Sequence, residues 1–361
     1  MRSTVLVVNA GSGTTKSAVF TFATDPELVS KDVTPASDGR DATRLVRTAA
    51  GTTIEAIGHR IVHGGPTHHD PERVTPELLA DLTRLIPFAP NHLPAAITLI
   101  ESLQQAAPDV PQVACFDTSF HRELPEVASR LPIPARYADQ GIRRYGFHGL
   151  SYAYLMEALQ RINPRAAQGT VVLAHLGNGS SLAAVRHGWC VDTTMGFTPL
   201  GGIVMSTRSG DIDPGAIAFI ARQEGWSADR IEDFCSHESG LRAVSGGSGD
   251  MRELLDREQH DAACRLAVNM YAYQIKKCIG AYAAAMGGID AVVFSGGIGE
   301  HAPSIRSRIC AGLDFLGIHL DESRNVNNDS LISEGRVAVH VIPTNEELMI
   351  ARLTYAVLSK A

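Results

Sequence analysis

Two distant stretches of this chain carry one pattern. VLVVNAGSGTTKSAVF begins at Val5, and VVLAHLGNGSSLAAVRHG begins at Val171. Gly11 and Gly13 of the first align with Gly177 and Gly179 of the second. Thr14 and Thr15 align with Ser180 and Ser181, and Ala18 and Val19 with Ala184 and Val185. An internal repeat constrains a fold more than any single motif. Each copy is a short apolar run rich in β-branched residues, a Gly turn, and a second such run, so each reads as strand, turn, strand. The spacing predicts two related domains, one opening near the start of each half.

The first turn has glycines, hydroxyls and Lys16, the parts of a phosphate cradle, yet it is not a P-loop. A P-loop needs Gly directly before the Lys and a helix directly after it. Here Thr15 precedes Lys16, and the strand-like SAVFTF follows. A plain β-hairpin is the alternative, since Gly-Ser-Gly is ordinary turn chemistry. Duplication gives the turn a second use. Backbone amides of such turns form anion-binding concavities without a helix, and Gly lets a phosphate approach the main chain. If two such turns face each other across a cleft, their N–H groups converge on one polyanion, with Lys16, Ser12 and Thr14 adding donors. A third Gly cluster lies in DAVVFSGGIGEHAPSIRSRI. AVVF reads as a buried strand, GGIGE as a tight turn, and Pro303 to Leu313 as a helix with Pro in its first turn. That element suits the sugar or base of a nucleotide.

Charged groups sit in apolar company at four places. GHRIVHGG holds Arg60, MSTRSGDIDPGAIAFI holds Arg208 in a loop leading into an apolar helix, FDTSFH holds Asp117, and RRYGFHGLS holds His148. Each alone fits a salt bridge, a cap or a packed ring. Together they supply two guanidiniums, a carboxylate and an imidazole, and Arg suits bidentate binding of carboxylate or phosphoryl oxygens. His68, His69 and Asp70 of PTHHD match no zinc spacing and read as a polar loop tip.

Composition excludes other classes. The 361 residues are 44% hydrophobic and 20% charged, with a formal net charge of −7. That is globular composition long enough for two domains. The negative charge speaks against nucleic-acid binding, which relies on basic surface. No apolar run approaches the roughly 20 residues of a membrane span. The N-terminus enters a strand rather than a signal peptide. The six cysteines form no C-x-x-C pair and read as reduced thiols of a cytoplasmic protein. Asp38 to Gly51 is the most loop-like segment.

NAGSGTTK, GHRIVHGG, FDTSFH, YGFHG, HLGNGSS, DTTMGFTPLGGIVMSTRSGDIDP, VVFSGGIGE and IPTNEELMIAR, in this order from about Val5 to Tyr355, resemble the acetate kinase family. The resemblance implies an α/β fold of two duplicated actin-like (ribonuclease H-like) domains with a nucleotide cleft between them. It implies an N-terminal domain of 1–118 plus 345–361, its C-terminal helix returning from Glu346, and a nucleotide-binding domain of 119–344. It implies reversible, direct in-line transfer of phosphoryl from ATP, with Mg²⁺, to acetate. By motif, Asn9 and Glu346 resemble the metal-site residues, with Ser12, Thr14 and Lys16 near the phosphates. Arg60 and Arg208 resemble the pair that grips carboxylate and phosphoryl, His148 the transition-state stabiliser, and Asp117 the residue assigned as acid/base. His175, Leu176, Gly177, Asn178 and Gly179 resemble nucleotide-binding positions. So do Asp250, Met251 and Arg252, and Gly297, Ile298, Gly299, Glu300 and His301. Val62, Phe147 and Pro199 resemble walls of a small acyl pocket. The implied partners are a small carboxylate and ATP/ADP, with no nucleic acid or membrane, in a homodimer.

The chemistry agrees with these types. A carboxylate has a pKa of about 4 and needs no general base at neutral pH, so Asp117 is expected to orient metal or arginine. A sugar kinase would need it as a base. Two departures matter. Where the family has P-L-H-N-P, this chain has Pro90-Asn91-His92-Leu93-Pro94, which puts the Asn91 amide at the acyl pocket. His301 stands where asparagine is usual. A propionate or other short-chain acyl kinase is the nearest alternative. A non-catalytic actin-like nucleotide switch is the alternative from another class, and it has no use for Arg60, Arg208 and His148 together.

Overall fold

β-Branched and apolar residues at both ends of the chain's repeat pair into sheets of matching plan. The structure is a computed structural model that describes residues 3–10, 14–23, 26–35, 45–46 and 53–359. In the first half, β1 (Ser3–Ala10), β2 (Thr14–Phe22) and β3 (Pro26–Pro35) form an antiparallel meander. β4 (Ala56–Ile61) then lies parallel to β1, and β6 (Gln112–Phe116) parallel to β4, with the short β5 (Glu72–Arg73) at the edge. Among the described residues the order is β3-β2-β1-β4-β6-β5.

The second half repeats this. β7 (Thr170–Leu176), β8 (Ser180–Arg186) and β9 (Trp189–Thr193) form the meander. β10 (Ala291–Ser295) lies parallel to β7, and β11 (Ala338–Val341) parallel to β10, giving the order β11-β10-β7-β8-β9. The echo seen in two hairpins thus extends over five strands. The hairpins differ in one respect. Ala10 pairs with Thr15 in the first, whereas Leu176 pairs with Ser180 in the second, one residue tighter. In the second turn the Ser180 hydroxyl donates to Gly177 O at 2.9 Å and accepts from Gly177 N at 3.2 Å.

By its contacts the chain divides into two units. Met1–Arg122, Phe147–Tyr154 and Asn345–Ala361 form one, and Glu123–Gly146 and Leu155–Thr344 the other. In the first, helix α1 (Leu93–Ala106) buries Leu99 and Leu103 against Leu6 and Val8 on one sheet face. The opposite face is covered by the C-terminal helix, whose Met349, Ile350 and Ala351 pack on Val5, Val7 and Ala56. Helix α2 (Gly149–Ile162) begins in this unit and ends in the second. In the second unit, helix α4 (Ala262–Met286) buries Val268, Tyr271, Ile275 and Ile279 with Val172, Ala174, Val292 and Phe294. Its start is set by Asp261, whose carboxylate accepts from the Ala263 and Cys264 amides, and its end by Gly287 at φ +78. Each such buried aliphatic or aromatic side chain contributes roughly 1.5–3 kcal/mol.

Two expectations change. GGIGE is not a tight turn but the short helix α5 (Gly296–His301), entered through Gly296 at φ +76. The following helix, α6 (Pro303–Cys310), stops before Leu313 because Gly312 at φ +76 turns the chain. The helix after Arg208, α3 (Pro214–Glu224), is apolar in composition but has no buried residue, and Phe219 is more than half exposed. Asp38 to Gly51 falls almost wholly outside the described residues.

Candidate functional site

In the first unit, alternation along three parallel strands places the polar residues together. Side chains on a strand alternate faces. Val5 and Val7, Ala56, and Val113 and Cys115 face the C-terminal helix α7 (Glu346–Ser359). Continuing the same face by twos gives Asn9 on β1, Arg60 on β4, and Asp117 just past β6. All three therefore lie at the carboxyl ends of parallel strands, where α/β sheets hold ligands, beside the first turn of α7. The contacts agree. Asn9 Nδ2 donates to Glu346 Oε2 at 2.9 Å and to Glu347 Oε1 at 3.2 Å. Arg60 Nε donates to Asp117 Oδ2 at 2.9 Å, and Arg60 Nη2 reaches the same oxygen.

Asp117 has no exposed surface, and the Arg60 side chain is 15% exposed. Burial raises the Asp117 carboxyl above the ordinary aspartate value, and the adjoining guanidinium opposes that. Burial works against the Arg60 charge, but Asp117, Glu346 and Glu347 outweigh it and raise its pKa. Asp117 Oδ1 is buried with no hydrogen-bond partner.

The same corner carries Phe147 and His148. Asp117 O accepts from Gly149 N at 2.8 Å, and a Cβ on Gly149 would stand 2.1 Å from that oxygen. Only glycine permits this approach, which seats His148, at φ +60, beside the Asp117 corner. His121 Nε2 donates to Phe147 O at 3.0 Å, and burial lowers its pKa to about 4. Val62 and Phe147 are buried, and Asn91 is exposed. Lys16 is half exposed, 4.0 Å from Glu347. Ser12 and the Thr14 side chain lie outside the described residues. His68 joins Glu72 and Asp81 at 2.7 and 3.2 Å, His69 meets Pro66 O, and Asp70 pairs with Arg122. Those contacts pin a polar loop.

In the second unit, the Gly turn after β7, the Arg208 loop and the Asp250 segment meet at Ser206. Ser206 N donates to Asn178 O at 3.2 Å, and its hydroxyl donates to Gly249 O at 3.0 Å. Arg208 Nη1 donates to Pro199 O at 3.2 Å. Asp250 caps the helix Met251–Arg257 and chelates Arg252, which holds its carboxyl below the usual range. Gly296 abuts the same turn, since a Cβ there would stand 2.7 Å from Leu176 O. His175 to Gly179, Arg208, Pro199, Asp250 to Arg252 and Gly297 to His301 are thus gathered near the carboxyl ends of β7 and β10.

Sequence reasoning missed Glu347, Lys31 and Ser206. Lys31 Nζ donates to Glu347 Oε2 at 3.3 Å, so Glu347 joins Asn9 to β3. The doubled Glu of TNEEL was a signal for Glu347. Ser206 had none, because it joins segments distant in sequence.

Among the described residues no group of three or more His, Cys, Asp or Glu forms a metal cage. Mg²⁺ does not ask for one: it takes one or two carboxylates and completes its shell with water and phosphate oxygens. Asn9 donates its amide hydrogens to Glu346 and Glu347, which leaves its carbonyl oxygen for a cation. Together with Glu346 and the unpartnered Asp117 Oδ1, this hard-oxygen set fits such an ion.

Residues 42–352 match the acetokinase family. An acetate kinase of Methylocella silvestris is 40% identical over 100% of this chain and 99% of its own length. Among solved structures, an acetate kinase of Porphyromonas gingivalis matches with a TM-score of 0.87 at 34% identity, covering 99% of this chain and 100% of that one. A propionate kinase of Francisella tularensis matches with a TM-score of 0.89 at 36% identity, covering 98% and 99%.

Proposed function

This chain belongs to the acetokinase family, and on that premise we propose that it transfers the terminal phosphoryl group of ATP to acetate, giving acetyl phosphate and ADP. A carboxylate oxygen attacks the γ-phosphorus as the bond to the ADP oxygen breaks. The reaction runs in both directions. The observation that carries the mechanism is the double donation of Arg60 to one oxygen of a buried Asp117. In this reading that carboxylate serves to hold the guanidinium and not as the base. The acid arrives ionised, so no base is required.

What remains is to bring an anion onto a polyanion, and phosphoryl transfer is mostly positioning and charge stabilisation. In this reading Arg60 and Arg208 hold carboxylate and transferring phosphoryl, and His148 donates to the developing charge. Lys16 attends the phosphates. The amides of Gly177 to Gly179 and the Gly297 to His301 helix receive the nucleotide. Asn9, Glu346 and Asp117 would hold Mg²⁺, which when bound supplies charge neutralisation on the phosphates. Val62, Phe147, Pro199 and Asn91 bound the acyl group. We extend the reading to a homodimer, for which exposed Phe219, Leu266 and Tyr273 supply apolar surface.

Purified protein with Mg-ATP and acetate or propionate is expected to form hydroxamate-trappable acyl phosphate. No product from any acid of one to four carbons would remove the reading. Propionate stays as the second substrate because one methylene is worth only about 1–3 kcal/mol. Arg208→Ala separates a kinase from a nucleotide switch: turnover is expected to vanish while ATP binding persists.

A further inference from the structure

Glu300 lies in a stretch whose neighbours suggest contact with nucleotide, yet its carboxylate points into the fold. β10 and β11 run parallel, with Phe294 opposite Val341, and the ladder continues through Ile342 N to Phe294 O at 3.0 Å. Just beyond, both strands end. Gly296 N donates to Glu300 Oε1 at 2.8 Å, and Thr344 N donates to the same oxygen at 3.2 Å. The Ser295 hydroxyl lies 3.5 Å from it. One carboxylate oxygen thus closes the ends of two adjacent strands. The side chain is 14% exposed.

The backbone beneath it is fixed as firmly. Arg306 has no exposed surface. Its Nη1 donates to Gly299 O at 2.8 Å and Glu300 O at 3.0 Å. Its Nε and Nη2 end on Asn325 Oδ1, Asn325 O and Asn328 Oδ1. A guanidinium with its donors on carbonyl oxygens holds main chain in place. Glu300 is therefore presented to Gly296 and Thr344 from an anchored position.

Thr344 leads directly to the metal-site candidate. Asn345 follows, and its Oδ1 accepts from Leu348 N at 3.0 Å, capping α7. Glu346 is the first residue of that helix. Resting on the kinase reading above, we propose that Glu300 is a positioning residue: it ties the nucleotide-side helix Gly296–His301 to the segment that places Glu346 for the divalent ion. Glu300 acts here through the two amides that donate to it. One oxygen serves both amides, so the helix start and the end of the β11 segment share a single acceptor.

Two variants test this, Glu300→Ala and Glu300→Gln. Gln keeps an acceptor oxygen and loses the charge. The readouts are ADP affinity by calorimetry without divalent ion, Mn²⁺ affinity of the ADP complex by electron paramagnetic resonance, and amide exchange over residues 342–348. Glu300→Ala is expected to weaken both affinities by about tenfold and to speed exchange at Thr344. Glu300→Gln should stay within about threefold of the parent protein in each. Equal losses in both variants would mean that the charge itself meets the ligand, and would overturn the proposal. So would a lowered Tm in Glu300→Ala with Mn²⁺ affinity and Thr344 exchange unchanged. Should Glu300→Ala fail to fold, Thr344→Pro removes the second amide and leaves Glu300 and Gly296 in place. It must then reduce Mn²⁺ affinity while leaving metal-free ADP affinity intact, and unchanged Mn²⁺ affinity overturns the proposal. A parent protein that makes no acyl phosphate would count against the kinase reading instead, and the exchange arm would still decide whether Glu300 ties the two strand ends.

Discussion

The first sheet ends its parallel strands on side chains; the second ends them on main chain. Asn9, Arg60 and Asp117 stand at the ends of β1, β4 and β6, with Glu346 and Glu347 beside them. Past the ends of the second sheet's strands come the Leu176–Gly177 turn after β7, Gly296 after β10 and Thr344 after β11, which offer amides and carbonyls. Five strands in the same order carry both. Duplication therefore determined where a ligand can be met. Substitution afterwards decided with what: buried charge in one unit, backbone donors in the other. The two solutions differ in cost. A backbone donor exists in any sequence and needs only a glycine to expose it. A buried guanidinium and carboxylate each cost several kcal/mol to desolvate and must pair.

The largest expected effect tests that cost. Arg60→Ala should lower kcat/KM for acetate by about 10²–10³ or more and destabilise the first unit by roughly 3–5 kcal/mol, because Asp117 is left buried and unpaired. The double variant Arg60→Ala, Asp117→Ala should recover part of that stability and none of the activity. Arg208→Ala in the half-buried loop of the second unit should cost a comparable share of activity but only about 1 kcal/mol of stability. Denaturant melts and initial rates on the three proteins make the comparison. Equal stability losses for both single variants would erase the distinction between the units.

A pH series sharpens it next. The first unit also buries neutral His59, whose Nε2 donates to Gln112 Oε1, and His121. Burial lowers each from 6.5 to about 4, with one hydrogen bond opposing in each case. Below 6.5 the unfolded chain binds these protons and the folded one does not, so stability falls as pH drops from 6.5 towards 4. The loss approaches about 3 kcal/mol per histidine. In the second unit burial lowers His340, opposed by a hydrogen bond to Ser330 O. Protection factors for residues 56–61 should therefore collapse before those for 170–176 between pH 6.5 and 4. A simultaneous collapse, or none, would contradict the assignment.

These particulars mark what could be read in advance. The repeat was legible because Gly and hydroxyl residues recur in register, and strand-turn-strand follows from their flanks. Arg60 and Asp117 were legible as types. Their pairing was not, since it depends on β4 and β6 lying side by side, with Arg60 opposite Cys115. The one-residue difference between the hairpins was hidden because it lies in the strand pairing, which the matched residue types do not carry. Glu300 looked like part of a binding stretch, and only the ends of β10 and β11 reveal that its carboxylate turns inward. GGIGE contains three glycines and reads as a turn, but Glu300 accepting from Gly296 N lets it wind into a helix.

The backbone side of the comparison can be tested within one dipeptide. Gly296 has φ +76 and no room for a Cβ, so Gly296→Ala should cost roughly 1–3 kcal/mol of stability. Gly297 has ordinary φ and open space around a Cβ. A structural role there predicts no loss for Gly297→Ala, and a helical Ala in place of Gly gains up to about 1 kcal/mol. If nucleotide approaches that amide, the added methyl should instead weaken ADP binding by about tenfold while the Tm holds or rises. Calorimetry with a melt reads both. Unchanged ADP affinity would remove Gly297 from the nucleotide surface.

The smallest effect concerns Asn91 in the side-chain half. It is exposed, and a surface change of this kind stays within about 0.5 kcal/mol. Its influence should appear only when an acyl group arrives. Closing a pocket on that group would desolvate the amide, at about 1–3 kcal/mol where a hydrogen bond of it is lost. Leucine carries no such cost and offers an apolar wall. The longer acid reaches further towards that wall, so Asn91→Leu should raise kcat/KM for propionate relative to acetate by about threefold to tenfold. Competition between the two acids in a single reaction measures the ratio directly, free of differences in enzyme concentration. A ratio that does not move places Asn91 away from the acyl group and leaves Val62, Phe147 and Pro199 to set the choice of acid.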